Sequence, residues 1–485
     1  MAIKAPITGT EPVPADRLGR VHFTGIGGAG MSGIARIMLA RGINVSGSDS
    51  APSPLLDDLH GQGARVYVGH APGNLDDLGA GDTLVYTSAI RLDNPELVEA
   101  THRGMRVLHR AEAMASITYG RRVIAVAGTH GKTTTTSMLT TVLRECGADP
   151  GYVIGGVLNE TGLGAEDGAG PDFVAEADES DGSFLLLSPY IAIITNVEAD
   201  HLDNYAGLAE IEAAFTSFGG HVSGMVLTCA DDLGAESVAA CLDPARVRRY
   251  GHSSQADYRL GDVRTHQMAV SFTVTADRSP FGELLVKMTV PVPGRHNALN
   301  ATAAFAAAVE LGFPPPQVIA ALVGYRGARR RMELKGEAGG VRVLDSYAHH
   351  PTELAADLRA ARDILAAGAA GTSSAGGRVV AVFQPHLFSR TRIFAAEFGT
   401  ALGLADEVVV LDVYAAREDP EPGVTGRLVA DAVPGGRARF VPDRAQVPPV
   451  IAGIAQPGDV VLTMGAGDVT LLGPQLVEAL GRRSG

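Results

Sequence analysis

The chain has 485 residues, with 46% hydrophobic residues and a formal net charge of -14 at pH 7. This length exceeds what one hydrophobic core supports and predicts about three domains of ~150 residues. The acidic balance argues against nucleic acid as a bulk partner, because nucleic-acid binders gather an excess of Lys and Arg. The three cysteines suggest neither a disulfide framework nor a metal-ligand spacing, and no apolar run has the length of a membrane span or signal peptide. The sequence therefore predicts an ordered cytoplasmic protein without membrane insertion.

The first motif is the glycine loop Gly25-Ile-Gly-Gly-Ala-Gly30, which lies between a predicted strand and a predicted helix, with Asp49 about 20 positions further on. This is the G-x-G-x-x-G turn of Rossmann-like units, and it fits a pyrophosphate at the helix N-terminus. The residues alone leave open whether that pyrophosphate belongs to NAD, FAD or another diphosphate. Strands are predicted at 20–24, 44–47, 83–87 and 106–108, and a helix at 31–41.

A second phosphate-binding motif occupies residues 127–136, which read Ala-Gly-Thr-His-Gly-Lys-Thr-Thr-Thr-Thr. It follows a predicted strand at 123–127 and opens a helix at 133–144. Lys132 reaches outer phosphates in such loops, and the Thr133 hydroxyl binds Mg²⁺. The usual first glycine is replaced by Val126, so a general P-loop search rejects the motif. Lys132 is nevertheless one of only four lysines among 40 Lys and Arg residues, which indicates that a compact ammonium is needed. The motif predicts an ATP site.

Two further candidates follow strands of the same predicted sheet. Glu176 ends a strand in Glu-Ala-Asp-Glu-Ser-Asp-Gly-Ser, and His201 follows the buried strand at 190–196. Because ligands bind at the carboxyl ends of parallel strands, both side chains are candidates for the phosphates and their metal. The alternatives are a solvated acidic loop for the first and a helix-capping histidine for the second.

The remaining pattern predicts an α/β protein of three domains. Residues 258–290 alternate in polarity, which favours a small antiparallel sheet beside the mostly parallel central sheet. A Gly/Ala/Ser-rich loop is predicted at 366–377. Further strands are predicted at 172–177, 341–344, 379–383, 407–411 and 459–463. The predicted domains are a Rossmann-like N-terminal domain at 1–119, a central P-loop-type ATPase domain at 120–327 and a Rossmann-like C-terminal domain at 328–485.

Taken together, six spaced motifs resemble the Mur ligase family, and within it the members that add alanine. They are the loop 128–134, the acidic run 176–181, Pro-Gly-Arg-His-Asn-Ala-Leu-Asn at 293–300, Arg330-Arg331, Tyr-Ala-His-His-Pro at 347–351 and Phe-Gln-Pro-His at 383–386. The likeness covers residues 21 to about 472. It implies an N-terminal UDP-sugar domain, a central ATPase domain, and a C-terminal domain that completes the nucleotide site and admits the amino acid.

The resemblance implies a two-step ligation with ATP and Mg²⁺, for which Mn²⁺ is an expected substitute. ATP phosphorylates the lactyl carboxylate of UDP-N-acetylmuramate, and the amine of L-alanine attacks the acyl phosphate to form an amide. The product is a peptidoglycan precursor, so the implied roles are in cell wall biogenesis, cell shape and cell division.

The resemblance also implies the site residues. The catalytic group is Lys132, Glu176 and His201, and the metal ligands are Thr133, Glu176 and His201. The ATP-binding residues are Gly128, Thr129, His130, Gly131, Lys132, Thr133, Thr134, Asn297, Asn300, Arg331, Asp345 and Ser346. The UDP-sugar site comprises Gly25, Gly27, Gly28, Ala29, Gly30, Asp49, His70 and Ser88, and the acceptor amino acid meets His349, His350, His386 and Arg390.

One position departs from the family pattern. Family members usually carry an aspartate directly before the Tyr-Ala-His-His-Pro run, where it contacts the ATP ribose, and here that position is Ser346. The acid lies one residue earlier, at Asp345. Neighbouring side chains on a strand point to opposite faces, so Asp345 inherits the contact only if the strand has already ended.

Three alternatives remain at this stage. A ligase that joins a peptide to the same sugar is one, although the first glycine loop of that branch departs from the sequence found here. A nicotinamide or flavin oxidoreductase is the second, and it leaves the ATP loop unexplained. The third is a catalytically silent nucleotide-binding scaffold, against which the intact Lys132, Glu176 and His201 argue.

Overall fold

The computed structural model describes residues 12–200, 204–369, 377–416 and 418–482. They divide between two compact units. The first unit contains Met1–Gly261, Val274–Val286 and Leu299–Leu322, and the second contains Asp262–Thr273, Lys287–Ala298 and Val323–Gly485. No helix among the described residues is both long enough and apolar enough to cross a membrane.

The N-terminal segment forms a parallel sheet flanked by helices. Its elements are β1 (Val21–Thr24), α1 (Ala29–Ala40), β2 (Val45–Asp49), α2 (Pro54–Gly61), β3 (Arg65–Val68), β4 (Thr83–Tyr86), α3 (Pro95–His102), β5 (Arg106–His109) and α4 (Arg110–Ile117). The strand order is β3-β2-β1-β4-β5, and every neighbouring pair is parallel. The order reverses at β1, so the glycine loop that follows β1 lies at the switch point where open α/β sheets bind ligands.

The central segment forms a ten-stranded sheet. Its elements are β6 (Arg122–Ala127), α5 (Lys132–Glu145), β7 (Gly151–Val153), β8 (Ala165–Glu166), β9 (Asp172–Glu176), β10 (Ile191–Ile194), α6 (Leu208–Gly220), β11 (Met225–Cys229), α7 (Leu233–Ala240), β12 (Val247–Gly251), β13 (Tyr258–Thr265), β14 (Val270–Ala276), β15 (Leu284–Val290), α8 (Arg295–Glu310) and α9 (Pro315–Val323). The strand order is β15-β14-β13-β12-β11-β10-β6-β9-β7-β8. The alternating segment at 258–290 therefore continues one edge of the main sheet, and β7 with β8 forms an antiparallel pair at the other edge.

The C-terminal segment forms a six-stranded sheet. Its elements are β16 (Glu333–Ala338), β17 (Val341–Ser346), α10 (Pro351–Ala369), β18 (Val379–Phe383), α11 (Phe388–Leu402), β19 (Glu407–Val410), α12 (Gly426–Ala432), β20 (Ala438–Phe440), α13 (Val447–Ile454), β21 (Val460–Met464) and α14 (Leu472–Arg482). The order is β16-β17-β21-β18-β19-β20, parallel except for the β16–β17 pair.

Two boundaries in this segment differ from the sequence prediction by two residues or more. The strand predicted at 341–344 continues through Ser346, because Asp345 and Ser346 pair with Thr463 and Met464 of β21. The loop predicted at 366–377 begins later, since α10 continues to Ala369. Residues 370–376 of that loop lie outside the described part of the chain.

One hydrophobic core lies under both sheets of the first unit. It contains Phe23 and Ile34 from the N-terminal segment together with Ala125 and Phe173 from the central sheet. All four residues of β10 are buried, as expected for a parallel strand covered on both faces. The alanine-rich helix α8 is likewise packed, because residues 303–309 are fully buried.

The contact between α1 and the central sheet requires a glycine. A Cβ added at Gly33 would lie 3.1 Å from the Cβ of Ala165 and 3.3 Å from Cγ1 of Val153. Gly33→Val is therefore expected to lower the free energy of unfolding by ~1–3 kcal/mol, because the added methyl groups overpack this contact. Urea denaturation followed by circular dichroism measures the loss.

Gly61→Val is the matched control for that experiment. Gly61 also lies in a helix, and an added Cβ there meets no heavy atom within 4 Å. Its replacement is expected to change stability by less than ~0.5 kcal/mol. Equal losses in both variants would contradict the packing explanation.

Candidate active site

The ATP loop follows β6 at the centre of the ten-stranded sheet, and both of its glycines are structurally required. Gly128 has φ +132°, and an added Cβ would lie 2.1 Å from Oγ1 of Thr195 at the end of the neighbouring β10. Gly131 has φ +81°, and an added Cβ would lie 2.8 Å from Oδ1 of Asn300. The predicted nucleotide residue Asn300 therefore lies against the loop, within the same compact unit.

Hydrogen bonds fix the loop to the segment that follows β10. The backbone N–H of His130 donates to Oδ1 of Asn196 at 2.7 Å, and that of Thr129 donates to the carbonyl of Asn196 at 3.1 Å. The Thr195 hydroxyl donates to the carbonyl of His130 at 2.6 Å. Helix α5 begins directly after the loop, with Thr133 and Thr134 in its first turn. The positive end of the α5 dipole is therefore directed at the loop, as a phosphate site requires.

Lys132 is held by three acceptors. Its Nζ donates to the carbonyls of Gly128 and Thr129 at 2.5 and 3.1 Å and to Oε1 of Glu179 at 2.8 Å. Burial alone would lower the pKa of Lys132, but the charges of Glu179 and Asp178 raise it above its ordinary value. The ammonium is therefore charged at neutral pH.

Glu179 is a residue that the sequence reasoning missed. Its side chain is only 3% exposed and pairs with Lys132. The acidic run 176–181 was recognised as a motif, but nothing in the run itself distinguishes Glu179 from its acidic neighbours. The contact depends on the loop after β9 folding back over the ATP loop, which a single sequence does not reveal.

The structure brings two of the predicted metal ligands together. Oε1 of Glu176 accepts a hydrogen bond from the Thr133 hydroxyl at 3.1 Å, and Oε2 accepts one from the backbone N–H of Gly155 at 2.8 Å. A carboxylate and a hydroxyl are hard oxygen donors, so this pair fits Mg²⁺. His201 lies outside the described residues, and its role as a metal ligand stays a prediction.

The N-terminal glycine loop is braced by the end of β2. The N–H groups of Gly25 and Ile26 donate to the carbonyl of Ser48 at 2.8 and 3.0 Å, and the N–H of Gly27 donates to Oδ2 of Asp49 at 2.9 Å. Gly28 is the N-cap of α1, and Ala29 and Gly30 open that helix. Asp49 thus stabilises the glycine loop through this hydrogen bond. Its assignment to the UDP-sugar site stays a prediction.

A buried carboxylate, Glu96, lies beneath this loop and was also missed from the sequence. Its oxygens accept hydrogen bonds from Thr24 at 2.8 Å, Ser48 at 2.7 Å and Asn74 at 2.7 Å. The predicted UDP-sugar residue His70 joins this network, with Nδ1 2.8 Å from Oγ of Ser48. The sequence shows Glu96 only as part of a helix start, Asn-Pro-Glu, so no local signal indicated the network.

Glu96 is ionised despite complete burial. Burial would raise its pKa, but His22, whose Nε2 is 3.3 Å away, and the hydrogen bonds from Ser48 and Asn74 lower it to about 2. The network therefore links β1, β2, α3 and the His70 segment through one charge.

Ser88, which the resemblance assigned to the UDP-sugar site, contacts the acidic run. Its hydroxyl donates to Oδ2 of Asp181 in the acidic run at 2.9 Å, and Nε2 of His109 lies 3.6 Å from the same oxygen. Arg110, the next residue, donates from Nη2 to Asp178 at 3.1 Å. The end of β5 and the start of α4 thus contact the loop that carries Glu176.

In the second unit, several predicted acceptor residues cluster. The rings of His349 and His386 have centroids 6.1 Å apart, and His386 stacks on Tyr414 at 5.8 Å. His350 is buried against Phe394 instead, with centroids 5.1 Å apart. Arg390 lies on α11 and is 9% exposed.

Two predicted nucleotide residues of the second unit have identified contacts. The guanidinium of Arg331 lies over the ring of Tyr347, 5.3 Å from its centroid. Asn297 donates from Nδ2 to the carbonyl of Pro293 at 2.7 Å, at the start of α8. That hydrogen bond fixes the Asn297 side chain at the head of the helix.

The two candidates for the ribose contact lie on opposite faces of β17, because the strand includes both. Asp345 is fully buried and accepts hydrogen bonds from Thr463 and Thr470, each at 2.7 Å. Ser346 is 1% exposed, donates to Asp357 and accepts from the N–H of Ala348 at 3.0 Å. The ribose contact stays a prediction for either residue.

Family models match most of the chain. The Mur ligase family catalytic domain matches residues 20–122, the Mur ligase middle domain matches 126–308, and the Mur ligase glutamate ligase domain matches 330–467. The chain belongs to the Mur ligase family. This confirms the predicted family and the three-domain α/β fold, whereas the boundaries 1–119, 120–327 and 328–485 stay predictions. Enzymes of this family use ATP and a divalent metal.

The chain is similar over nearly its whole length to relatives named UDP-N-acetylmuramate–L-alanine ligase. The protein from Thermobifida fusca is 57% identical over 474 residues, which is 97% of this chain and 99% of the relative. The protein from Kineococcus radiotolerans is 55% identical over 484 residues, covering 98% and 99%.

Two solved structures are also similar to this chain over nearly its whole length. The UDP-N-acetylmuramate–alanine ligase of Thermotoga maritima superposes with a TM-score of 0.78 at 30% identity, covering 96% of this chain and all of the other. A murein peptide ligase from Psychrobacter arcticus superposes with a TM-score of 0.70 at 26% identity, covering 96% and 99%.

The Glu96 network generates a prediction about stability. Because the pKa of Glu96 is lower in the folded protein than its ordinary value of 4.5, its stabilisation is complete above pH 4.5 and is lost as the pH falls toward 2. Glu96→Gln is expected to lower the free energy of unfolding at pH 7 by up to ~3 kcal/mol, and by less at about pH 3.5. Urea denaturation at both pH values measures the difference.

Glu99→Gln, on the same helix, is the control. Glu99 is 26% exposed and pairs with Arg103, so its replacement is expected to cost less than ~1 kcal/mol. A Glu96→Gln loss that does not change with pH would argue against an ionised Glu96 as its source.

Proposed function

We propose that the chain joins L-alanine to the lactyl carboxylate of UDP-N-acetylmuramate, with ATP converted to ADP and phosphate, in the cytoplasmic synthesis of peptidoglycan precursors. The observation that carries the proposal is the convergence of Lys132, Thr133 and Glu176 at the carboxyl edge of the central sheet. Relatives named for this reaction, up to 57% identical, support the choice of substrates.

In this proposal the ATP loop binds the phosphates. The first turn of α5 presents its N–H groups to the anion, and Lys132 contacts the outer phosphates. Asn300 borders the loop at Gly131. Asn297, Arg331 and one of Asp345 or Ser346 are assigned to the rest of the nucleotide.

Thr133 and Glu176 would hold Mg²⁺, with His201 as a further ligand. The metal supplies charge neutralisation at the transferring phosphoryl group when it is bound. Gly155 fixes the Glu176 carboxylate through its N–H, so the side chain is oriented before the metal arrives. Glu179 positions Lys132, because it holds the ammonium against the loop carbonyls.

The sugar nucleotide is assigned to the first glycine loop. Gly25, Gly27, Gly28, Ala29 and Gly30 present a helix N-terminus to its diphosphate. Asp49 and His70 brace that end of the sheet, and Ser88 lies where the N-terminal segment meets the acidic run. His349, His350, His386 and Arg390 are assigned to the acceptor amino acid, with the Arg390 fork matching a carboxylate.

A murein peptide ligase is the second candidate function. The structural likeness to the Psychrobacter arcticus protein favours it, and that enzyme shares the three-segment architecture. Its identity to this chain is 26%, against 57% for the Thermobifida fusca alanine ligase. Sequence similarity therefore favours alanine addition.

Phosphate release from ATP tests these functions directly. The proposal requires release that depends on both UDP-N-acetylmuramate and L-alanine, with the amide product identified by mass. Release that requires a tripeptide in place of alanine would support the murein peptide ligase. If no phosphate is released with either acceptor, an oxidoreductase and a catalytically silent scaffold remain as the alternatives.

Lys132→Met is expected to lower kcat for ligation by ~10²-fold or more, because it removes a strong charged donor from the developing phosphoryl charge. The Kd for UDP-N-acetylmuramate, measured by titration calorimetry without ATP, is expected to stay within about 2-fold, since the sugar nucleotide is assigned to the other glycine loop.

Lys287→Met is the matched control, because Lys287 is an exposed lysine on β15. It is expected to retain wild-type kcat. Near-normal turnover by Lys132→Met would overturn the assignment of the ATP loop.

A further inference from the structure

Arg110 lies between the two phosphate-binding loops of the first unit. It is the first residue of α4, directly after β5. Its Nη1 lies against the first turn of α1, where a Cβ added at Gly30 would be 3.0 Å from that atom. Its Nη2 donates to Asp178 on the loop that follows β9. One guanidinium therefore reaches from the proposed diphosphate loop to the loop that begins with Glu176.

Most of the guanidinium's hydrogen-bonding capacity is unused. Arginine has five N–H donors. Among the described residues, the only hydrogen-bond acceptor of the Arg110 side chain is Asp178, at 3.1 Å. The side chain is 20% exposed, and it borders a space between α4 and the loop that follows β9.

That space is a cleft lined by polar and by apolar side chains. The polar residues are Arg110, Glu176, Asp178 and Ser183. The apolar lining includes Met114, Phe184 and Leu187, each of which is at least nine-tenths buried. Such a cleft suits a ligand that carries an anionic group next to a small apolar group.

The charged side chains that line the cleft indicate which group of the ligand binds there. The phosphoryl transfer proposed above brings a carboxylate toward the γ-phosphate of ATP, beside the acidic side chains Glu176 and Asp178. An unaccompanied carboxylate would be repelled by these groups. Arg110 is the cation among the lining residues of the cleft, and its planar fork matches a carboxylate in two parallel hydrogen bonds.

We propose that Arg110 binds the lactyl carboxylate of UDP-N-acetylmuramate, with Asp178 holding the guanidinium toward the cleft and the lactyl methyl group facing Met114, Phe184 and Leu187. This inference rests on the proposed function and extends it, because Arg110 becomes a specificity residue for the acceptor carboxylate. The other anion of the same ligand, its diphosphate, is the competing partner of Arg110.

Three related ligands separate these possibilities. UDP has only the diphosphate, UDP-N-acetylglucosamine adds the sugar, and UDP-N-acetylmuramate adds the lactyl carboxylate. Titration calorimetry of Arg110→Gln without ATP is expected to show an increase of about 10-fold or more in Kd for UDP-N-acetylmuramate. The Kd values for UDP and UDP-N-acetylglucosamine are expected to stay within about 2-fold.

Two further variants control for charge and for structure. Arg110→Lys keeps the charge but not the planar fork of the guanidinium. On a logarithmic scale, it is expected to raise the Kd for UDP-N-acetylmuramate by about half as much as Arg110→Gln does. Arg41→Gln removes an arginine of similar burial, 23% exposed, whose pair with Asp167 also joins the N-terminal and central segments. It is expected to bind all three ligands like the wild type, and thermal melting checks that both Gln variants remain folded.

The outcomes are distinct. Equal weakening of all three ligands by Arg110→Gln would place the guanidinium on the diphosphate and overturn the proposal. Unchanged binding of all three ligands by Arg110→Gln would mean that Arg110 only forms an ion pair with Asp178, and this result would also overturn the proposal. Wild-type protein that neither binds UDP-N-acetylmuramate nor ligates alanine would instead refute the proposed function.

Discussion

The charge balance around Lys132 is the constraint on which the site depends. The ammonium lies at the start of α5 and is held by Glu179, with Asp178 and Glu176 on the same loop. Burial disfavours a charged lysine, and only these carboxylates keep it protonated. The same carboxylates oppose the entry of phosphates. In the proposed function a nucleotide therefore enters together with additional positive charge, which the metal assigned to Thr133 and Glu176 beside the lysine supplies.

Parallel strand pairing is what brings these residues together. β6 pairs with β9 on one side and with β10 on the other, with Val126 opposite Glu176 and Ala127 opposite Ile194. The ATP loop, Glu176 and Thr195 therefore leave the sheet at the same edge. The approach is close enough that residue 128 must be a glycine, since any Cβ there would collide with Thr195. The glycine serves the packing of strand ends as much as the binding of an anion.

Features that depend on residues close together in the chain could be predicted from the sequence. Both glycine loops follow strands and open helices as predicted, and Thr133 meets Glu176 because each is fixed by its own strand end or helix start. Glu96, Arg110 and Glu179 were missed because their partners are distant in the sequence. The separation is 22 to 74 residues for Glu96, 68 for Arg110 and 47 for Glu179. Nothing in the surrounding few residues signals such contacts. The end of β17 was placed two residues early for the same reason, since pairing with β21 extends it beyond its apolar run.

The departure from the family pattern at position 346 has a structural reason. The Ser346 hydroxyl donates to Asp357, a carboxyl on α10 whose pKa is raised by burial to about 7. His296 lies on the other side of this carboxyl, 3.9 Å away, but burial lowers its pKa to about 4, so it provides no positive charge at neutral pH. An aspartate at position 346 would place a second carboxylate against the buried Asp357, where Glu353 adds negative charge and Arg331 is the nearby cation, so the carboxylate pair would be costly. A serine at position 346 therefore donates a hydrogen bond to Asp357 and avoids a second carboxyl beside it.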